Sequence, residues 1–366
     1  MNTNLLKTWR SIDLDAIAHN YNYTKSKTNA KIICVVKANA YGHGAIEVSR
    51  RLEKEGCDCF AVSSLEEALE LRQGGITGDI LILGYILPER INEAVENGIS
   101  FACASYDFAK ELSQLKASKK AKIHIKLNTG MNRTGFCICH RDGYEDLEKA
   151  LDLLKGNESI EIEGIFSHFA KAEDDYPFSQ KQWGYFENAV DFIKSKGINA
   201  KMLHLCNSVG THSFPDKHLD AVRLGIHLYG CGTDDKNYIQ AMDFYTRIVD
   251  IHTLYEGDGV SYGLDFIADR KMKIAVIGAG YGDGIFRYFA KEKAYFLVKG
   301  KKCPIIGRVC MDMTMIDISE VEDAKVGDIV TIWGKDLPAD IQAEKIGTIS
   351  YELLCSVSKR VVRVYQ

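Results

Sequence analysis

The sequence has no excess of basic charge: 46 lysines and arginines stand against 50 acidic residues, a net charge of −4. It therefore advertises no basic face for nucleic acid. It also has no apolar run near the ~18 residues that cross a membrane. Its start, "MNTNLLKTWR", lacks the apolar core of an export signal. The expectation is a cytoplasmic protein with neither nucleic acid nor membrane as partner. Zinc spacing is missing too. The pairs Cys57/Cys59 and Cys137/Cys139, the latter followed by His140, are one residue too tight for C-x2-C, and no second half matches them. No resident metal is expected. The eleven cysteines are an odd number scattered through apolar stretches such as "KIICVVK" and "FACAS". That suits reduced thiols better than a disulfide framework. No low-complexity linker interrupts the 366 residues, and a composition of 46% hydrophobic and 26% charged is ordinarily globular.

What is present is a regular alternation. Short β-rich apolar runs read "KIICVVK", "CFAVSS", "DILILGY", "SFACAS", "KIHIKLN", "IEIEGIFSH", "MLHLCNS" and "AVRLGIHLYG". Between most of them lie helical patterns that close near glycine, such as "AIEVSRRLEKEG", "SLEEALELRQGG" and "YEDLEKALDLLKG". The seventh connection, "VGTHSFPDKHLD", has room for only a turn or so of helix. Alternating strand and helix imply a parallel sheet with right-handed crossovers. Eight such units match a TIM-like (β/α)8 barrel, although a doubly wound sheet could also hold them. After about residue 238 the texture changes to strands broken by Gly and Asp turns. The reading is an α/β chain, a barrel over 10–237 followed by a mainly-β domain over 238–366. The N-terminal strand in 1–9 could join either part. The stretch "ADIQAEKIGTISYELLCSVS" reads as a helix and "RVVRVYQ" as a last strand.

Barrels of this kind gather their chemistry at the C-terminal ends of the strands. Those ends carry Lys37, then Asn128 and Arg133, His168, Asn207 and Ser208, and Arg223 with Gly225 and Gly230. Taken singly, each could be a capping or turn residue. Lys37 stands out because lysine is rarely buried, yet it follows the apolar run "IICVV". The stretch "MKIAVIGAGYGDG" imitates a dinucleotide fingerprint, but the third glycine of G-x-G-x-x-G would fall on Asp283. A glycine-rich β turn presenting Tyr281 fits it better.

With Lys37 placed at a barrel rim, the chain resembles the bacterial alanine racemase family over nearly its whole length. The motifs stand here as "VVKANAYGHG", "KLNTGMNRTGF", "FSHFA", "NS" at 207–208, "RLGIHLYG", "VSYG", "GAGYGDG", "GRVCMDM" and "SYELLC". The resemblance implies pyridoxal 5′-phosphate (PLP) carried on the barrel, and a homodimer with shared active sites. It implies interconversion of L- and D-alanine, a step that supplies D-alanine for peptidoglycan. By position, Lys37 matches the lysine joined to the cofactor and one of two bases. Tyr262 matches the second base, supplied by the other subunit. Arg223 matches the residue facing the pyridine nitrogen, with His168 holding it. Tyr41, Asn207, Ser208, Tyr351 and the backbone N–H groups of Gly225 and Ile226 match the cofactor cradle. Arg133 matches a substrate-carboxylate contact, with Lys126 aligned to a lysine carbamylated in some members. Met311, Asp312 and Tyr281 match the partner's contribution on the substrate side.

Two departures from the family pattern stand out. Leu224 follows Arg223 where proline is common, and Asn128 replaces the acid of "DTGM". A serine or broad-specificity racemase shares the same motifs and remains the runner-up. A PLP-dependent decarboxylase would want an acid, not Arg223, at the pyridine nitrogen. A mere PLP-binding carrier would not need the "VSYG" and "CMDM" segments.

Overall fold

The computed structural model describes residues 3–116, 119–173, 176–292 and 294–366. The chain divides into two compact units, one comprising 21–40 and 45–228, the other 1–20, 41–44 and 229–366. Strand β1 (Thr8–Ile12) belongs to the second unit and is taken up below.

The first unit is a closed barrel of eight parallel strands. In chain order they are β2 (Lys31–Val35), β3 (Cys59–Val62), β4 (Asp79–Ile82), β5 (Ile99–Cys103), β6 (Ala121–Asn128), β7 (Ile160–Phe166), β8 (Met202–His204) and β9 (Ala221–Leu224). Each pairs with the next, and β9 pairs back onto β2, Arg223 opposite Ile33. Strands covered on both faces need continuous apolar runs, and Ile32, Ile33, Cys34 and Val35 are all buried. The helices between strands start where the sequence provides caps. Ser64 accepts from the Glu67 N–H, and Ser105 from the Phe108 N–H, each satisfying a donor the first turn leaves without a helical partner. The helix Ala45–Lys54 carries Glu47 in its first turn and Arg51 and Lys54 in its last, the order the helix dipole favours. After β8 the connecting helix is Ser208–Ser213, only six residues, as the short linker required.

The second unit is built on a mainly antiparallel sheet. Its further strands are β10 (Met242–Leu254), β11 (Met272–Ile277), β12 (Tyr295–Val298), β13 (Lys301–Ile306), β14 (Thr314–Asp317), β15 (Ile329–Trp333) and β16 (Val362–Tyr365). β1 lies between β10, antiparallel to it, and β16, parallel to it. Thr8 and Thr246 meet across this pairing, 2.9 Å between hydroxyls. The β12–β13 hairpin turns on Lys299 and Gly300, both at positive φ, the twist that two-residue hairpin loops require. One expectation needs correcting: the stretch 339–358 is not a single helix. It forms Ala339–Lys345 and Ser350–Ser356, separated at Gly347, whose φ of +72° ends the first, because glycine alone enters that region without cost. Among the described residues no helix is long and apolar enough to cross a membrane.

Candidate active site

The barrel rim is shaped first by its backbone. Directly after Lys37, Ala38, Asn39, Ala40 and Tyr41 all have φ between 49° and 54°. Four consecutive non-glycine residues in the left-handed region cost about 1–2 kcal/mol each. Such strain survives only where surrounding bonds over-determine it. Here Glu67 accepts the Ala38 N–H at 2.6 Å, the Asn39 side chain accepts the Ala45 N–H at 2.7 Å, and the Ala40 N–H reaches back to the Val36 carbonyl at 2.8 Å. Lys37, half-buried, is thus set at the head of a rigid reversed turn.

Arg223 is a tightly constrained cation. It is 3% exposed. Its Nη1 donates to His204 Nδ1 at 2.7 Å and the His204 carbonyl at 3.1 Å. Its Nη2 donates to the carbonyls of Ser167 and Leu205 and to His168 Nδ1 at 3.1 Å. Only Nε–H is not engaged by these bonds. Burial pushes its pKa down to about 10, which still leaves it protonated near neutrality. An arginine can only donate, so His168 Nδ1 must accept and its proton sits on Nε2. The Asn207 Nδ2 at 3.5 Å from that Nε2 is then a neighbour, not a donor. Burial first, and then the charges of Arg223, Arg133, Lys37 and Lys126, hold the His168 pKa well below the usual imidazole range.

Lys126 lies in β6 facing the same region. It is buried, donates to the Leu83 carbonyl at 3.3 Å, and sits 5.4 Å from the Phe166 ring centroid. Arg223 lies 5.5 Å from that same ring, so one aromatic residue supports two cations. Burial, followed by Arg133, Arg223 and Lys37, lowers the Lys126 pKa to about 8. Arg133 is exposed on the loop after β6. Asn128 builds that loop by accepting the N–H groups of Gly130 and Asn132 and donating to the Asn132 side chain. An aspartate could accept the same two bonds but not make the third, so the departure from the acid leaves the loop well held. Leu224, the other departure, is the buried last residue of β9.

Asn207 caps the helix after β8 by accepting the Gly210 N–H. The Gly225 N–H donates to Ser208 Oγ at 2.8 Å, and the serine's own hydrogen remains available as a donor. Ile226 follows, buried.

The second unit holds its own set. Tyr41 and Tyr351 pack edge to face at 5.9 Å, and Tyr229 lies 5.0 Å from Tyr41. Tyr262 is 71% exposed, on a turn with Ser261 at φ 67° and Gly263 at φ 74°. Tyr262 and Tyr281 line one cleft of about 540 Å³ with Phe286, Arg287, Arg308 and Val309. The "GAGYGDG" turn is no nucleotide loop. The Tyr281 and Gly282 N–H groups donate to the Cys310 and Met311 carbonyls, and a Cβ on Gly280 would come within 2.2 Å of the Cys310 oxygen. Close backbone approach is what its glycines permit. Asp283 caps Gly280 and binds Arg360, which also binds Asp312 at 2.8 Å. The two loops carrying Tyr281, Met311 and Asp312 are therefore one assembly.

Three residues of the barrel interior were not singled out from the sequence: His124, Glu163 and His204. A signal for the first existed, since "KIHIKLN" places Lys122, His124 and Lys126 at period two on a strand otherwise apolar.

A barrel whose strand ends collect Lys37, Lys126, Arg133 and Arg223 is thus joined in sequence to an antiparallel β unit. Residues 12–233 match the family described as alanine racemase, N-terminal domain, and 241–365 match alanine racemase, C-terminal domain. The chain belongs to the alanine racemase family. It is 41% identical over 368 residues to alanine racemase 2 of Caldanaerobacter subterraneus subsp. tengcongensis, covering 97% of this chain and 93% of that one. Alanine racemase of Clostridium difficile 630 superposes with a TM-score of 0.91 at 37% identity, covering 99% of this chain and 96% of that one. The Bacillus anthracis alanine racemase, solved with bound L-Ala-P, gives 0.91 at 34% identity over 98% and 95%.

Members of this family are PLP-dependent, and the rim fits such a group. Among the described residues none of Lys126, Arg133 and Arg223 forms an ion pair with a carboxylate, and the charges acting on His168 and Lys126 are cations. Positive charge concentrated in this way suits a phosphate and a carboxylate. The unspent Nε–H of buried Arg223 suits a neutral ring nitrogen.

Proposed function

We propose that this chain interconverts L- and D-alanine as a PLP-dependent racemase, acting as a homodimer in the cytoplasm and supplying D-alanine for peptidoglycan. The observation that carries it is Arg223: a buried, donor-only cation at the rim, anchored by five acceptors and beside the strand end that bears Lys37. When bound, PLP supplies the electron sink that acidifies the substrate's α-hydrogen. Lys37 would hold the cofactor through its ε-nitrogen and exchange a proton with the α-carbon on one face. Lysine suits this because burial and neighbouring cations readily bring its amine toward neutrality. Tyr262 of a second copy would exchange the proton on the opposite face, which inversion at one carbon requires. Arg223 would donate to the cofactor's ring nitrogen without giving up its proton, which would restrain the sink and disfavour side reactions. Ser208 and the N–H groups of Gly225 and Ile226 would take the phosphate. Arg133 would bind the substrate carboxylate, with Met311 N–H, Asp312 and Tyr281 closing the partner's side.

The test is turnover of L-alanine, L-serine and L-lysine by PLP-loaded protein, with released carbon dioxide trapped in parallel. Alanine should racemise fastest with no gas released. Faster serine turnover would make the chain a serine or broad racemase, and carbon dioxide would make it a decarboxylase.

Lys126 supports a second element of this reading. With its pKa near 8, a large share of the amine is neutral in mild alkali. A neutral amine adds carbon dioxide to give a carbamate and a released proton. The product would place an anion beside Arg133, Arg223 and Lys37 and hold Arg133 toward substrate. Protein incubated with ¹³C-bicarbonate should then show a carbamate resonance that Lys126→Ala lacks. Identical spectra from the two proteins would remove the carbamate.

A further inference from the structure

Behind Arg223 a hydrogen-bond chain runs through the barrel interior. His204 Nδ1 faces Arg223 Nη1 at 2.7 Å, His204 Nε2 faces His124 Nδ1 at 2.9 Å, and His124 Nε2 faces Glu163 Oε2 at 3.4 Å. The direction of every link follows from its ends. Arginine only donates, so His204 Nδ1 accepts. Burial and then Arg223 hold the His204 pKa well below its usual range, so its single proton lies on Nε2 and is donated to His124 Nδ1. His124 must therefore carry its proton on Nε2, where an ionised carboxylate accepts it.

The fold is built to allow this. Against β6, strand β7 skips a residue: Ile123 pairs with Ile162, but His124 pairs with Gly164. Glu163 is the extra residue of a β-bulge, a device that re-aims a side chain. Strict alternation would turn it away from the side that Gly164 and Phe166 occupy. Instead its two oxygens take separate partners, Oε1 the Lys122 amine at 3.1 Å, Oε2 the Ser100 hydroxyl at 3.0 Å together with His124. The hydrogen bond from His124 first, and Lys122 after it, hold its carboxyl down at about 2 against the effect of burial. Gly164 is equally required, since a Cβ there would lie 2.2 Å from His124 Nδ1. Phe166 stacks on His204 at 4.9 Å with the rings 3° apart, fixing that ring's plane.

We infer that Glu163 is a positioning residue which, through His124 and His204, sets the direction of a polarised hydrogen-bond chain ending on the Arg223 guanidinium. Every donor in the chain points from Arg223 toward Glu163, so each acceptor lone pair faces the cation. Among the described residues no carboxylate pairs with Arg223, and the chain brings the influence of one to it without placing an acid at the rim. Without Glu163, His124 could present an Nδ1–H to His204. His204 would then hold its remaining proton against Arg223, and the guanidinium would lose one of its five acceptors and the one that orients Nη1 most closely. The role toward the cofactor ring rests on the racemase reading above; the direction of the chain does not.

The experiment is long-range ¹H–¹⁵N correlation on ¹⁵N-histidine-labelled protein, with and without PLP, using His124→Asn and His204→Asn for assignment. Wild type should show both rings neutral, with Nδ1 bare and Nε2 protonated. A protonated Nδ1 on His204, or a doubly protonated His124, overturns the inference whatever the protein's substrate. In Glu163→Met the His124 ring should change to a mixture of tautomers. In Glu163→Gln, whose carbonyl can still accept, it should stay as in wild type. In the loaded enzyme Glu163→Met should lower kcat on the order of 10-fold, the scale seen when carboxylates behind functional histidines are removed, with KM changed less and Glu163→Gln restoring most of it. Unchanged tautomers in Glu163→Met would also overturn it. Correct tautomers in a protein inert toward alanine would leave the chain standing and reject only the racemase reading.

Discussion

Lys37→Ala should fold normally, retain no cofactor that borohydride can fix to the protein, and lose racemisation by roughly 10⁴-fold or more, since it deletes both an anchor and a base. Tyr262→Phe should keep the covalent cofactor yet fall by about 10²–10⁴-fold, the worth of one general acid–base group. The decisive measurement mixes the two inactive proteins. Tyr262 stands 71% exposed on its turn, an unusual setting for a base unless another surface covers it. If the partner subunit supplies it, a mixed dimer holds one site with both Lys37 and Tyr262 and one with neither. Random exchange of a two-fold dimer should then restore about one quarter of wild-type activity. Verified mixed dimers with no activity would show that each site draws both groups from one chain. A borohydride-fixed adduct on a peptide other than that of Lys37 would remove the cofactor assignment altogether.

Arg223→Leu should damage stability and chemistry together. The leucine fills part of the volume but leaves the carbonyls of Ser167, His204 and Leu205, and the Nδ1 atoms of His168 and His204, without the donor they share. Buried acceptors without partners cost about 1–3 kcal/mol each. Some of these will find water or another amide, so a net loss near 3 kcal/mol is expected, a fall of roughly 6–12 °C in melting temperature. Arg223→Lys should fall between, because an ammonium keeps the charge but not the fork of donors that reaches five acceptors. Turnover should drop in both, more in Leu. Wild-type melting in Arg223→Leu would mean that the five bonds contribute little, and the account of the rim as preorganised would fail.

The barrel was legible because its strands and helices announce themselves at short range. Apolar runs, capping serines and closing glycines lie within a few residues of one another, and the eight runs from "KIICVVK" to "AVRLGIHLYG" are the eight strands. The positions at strand ends were legible for the same reason. The helical stretch at 339–358 was misread as continuous because its 3.6-residue pattern persists across Gly347, whereas the chain obeys the glycine. The left-handed turn at 38–41 was not legible, since alanine and tyrosine give no sign of positive φ. Glu67, 29 residues from Ala38, is one of the groups that make that turn tolerable.

The interior chain was hidden for a further reason. His124, Glu163, His204 and Arg223 come from four strands, and nothing local relates them. Glu163 reads as an outward-facing residue on an alternating strand until pairing with β6 reveals the extra residue. By itself, then, the sequence determined the order of strands and helices and the identity of the polar groups at the strand ends, because those depend on periodicity and neighbours along the chain. Closure into a barrel rather than a doubly wound sheet was settled by β9 pairing back onto β2. The tertiary structure decided which buried groups touch and in which direction their hydrogens point. Register, bulges and donor–acceptor matching are properties of strands brought side by side, not of any one strand.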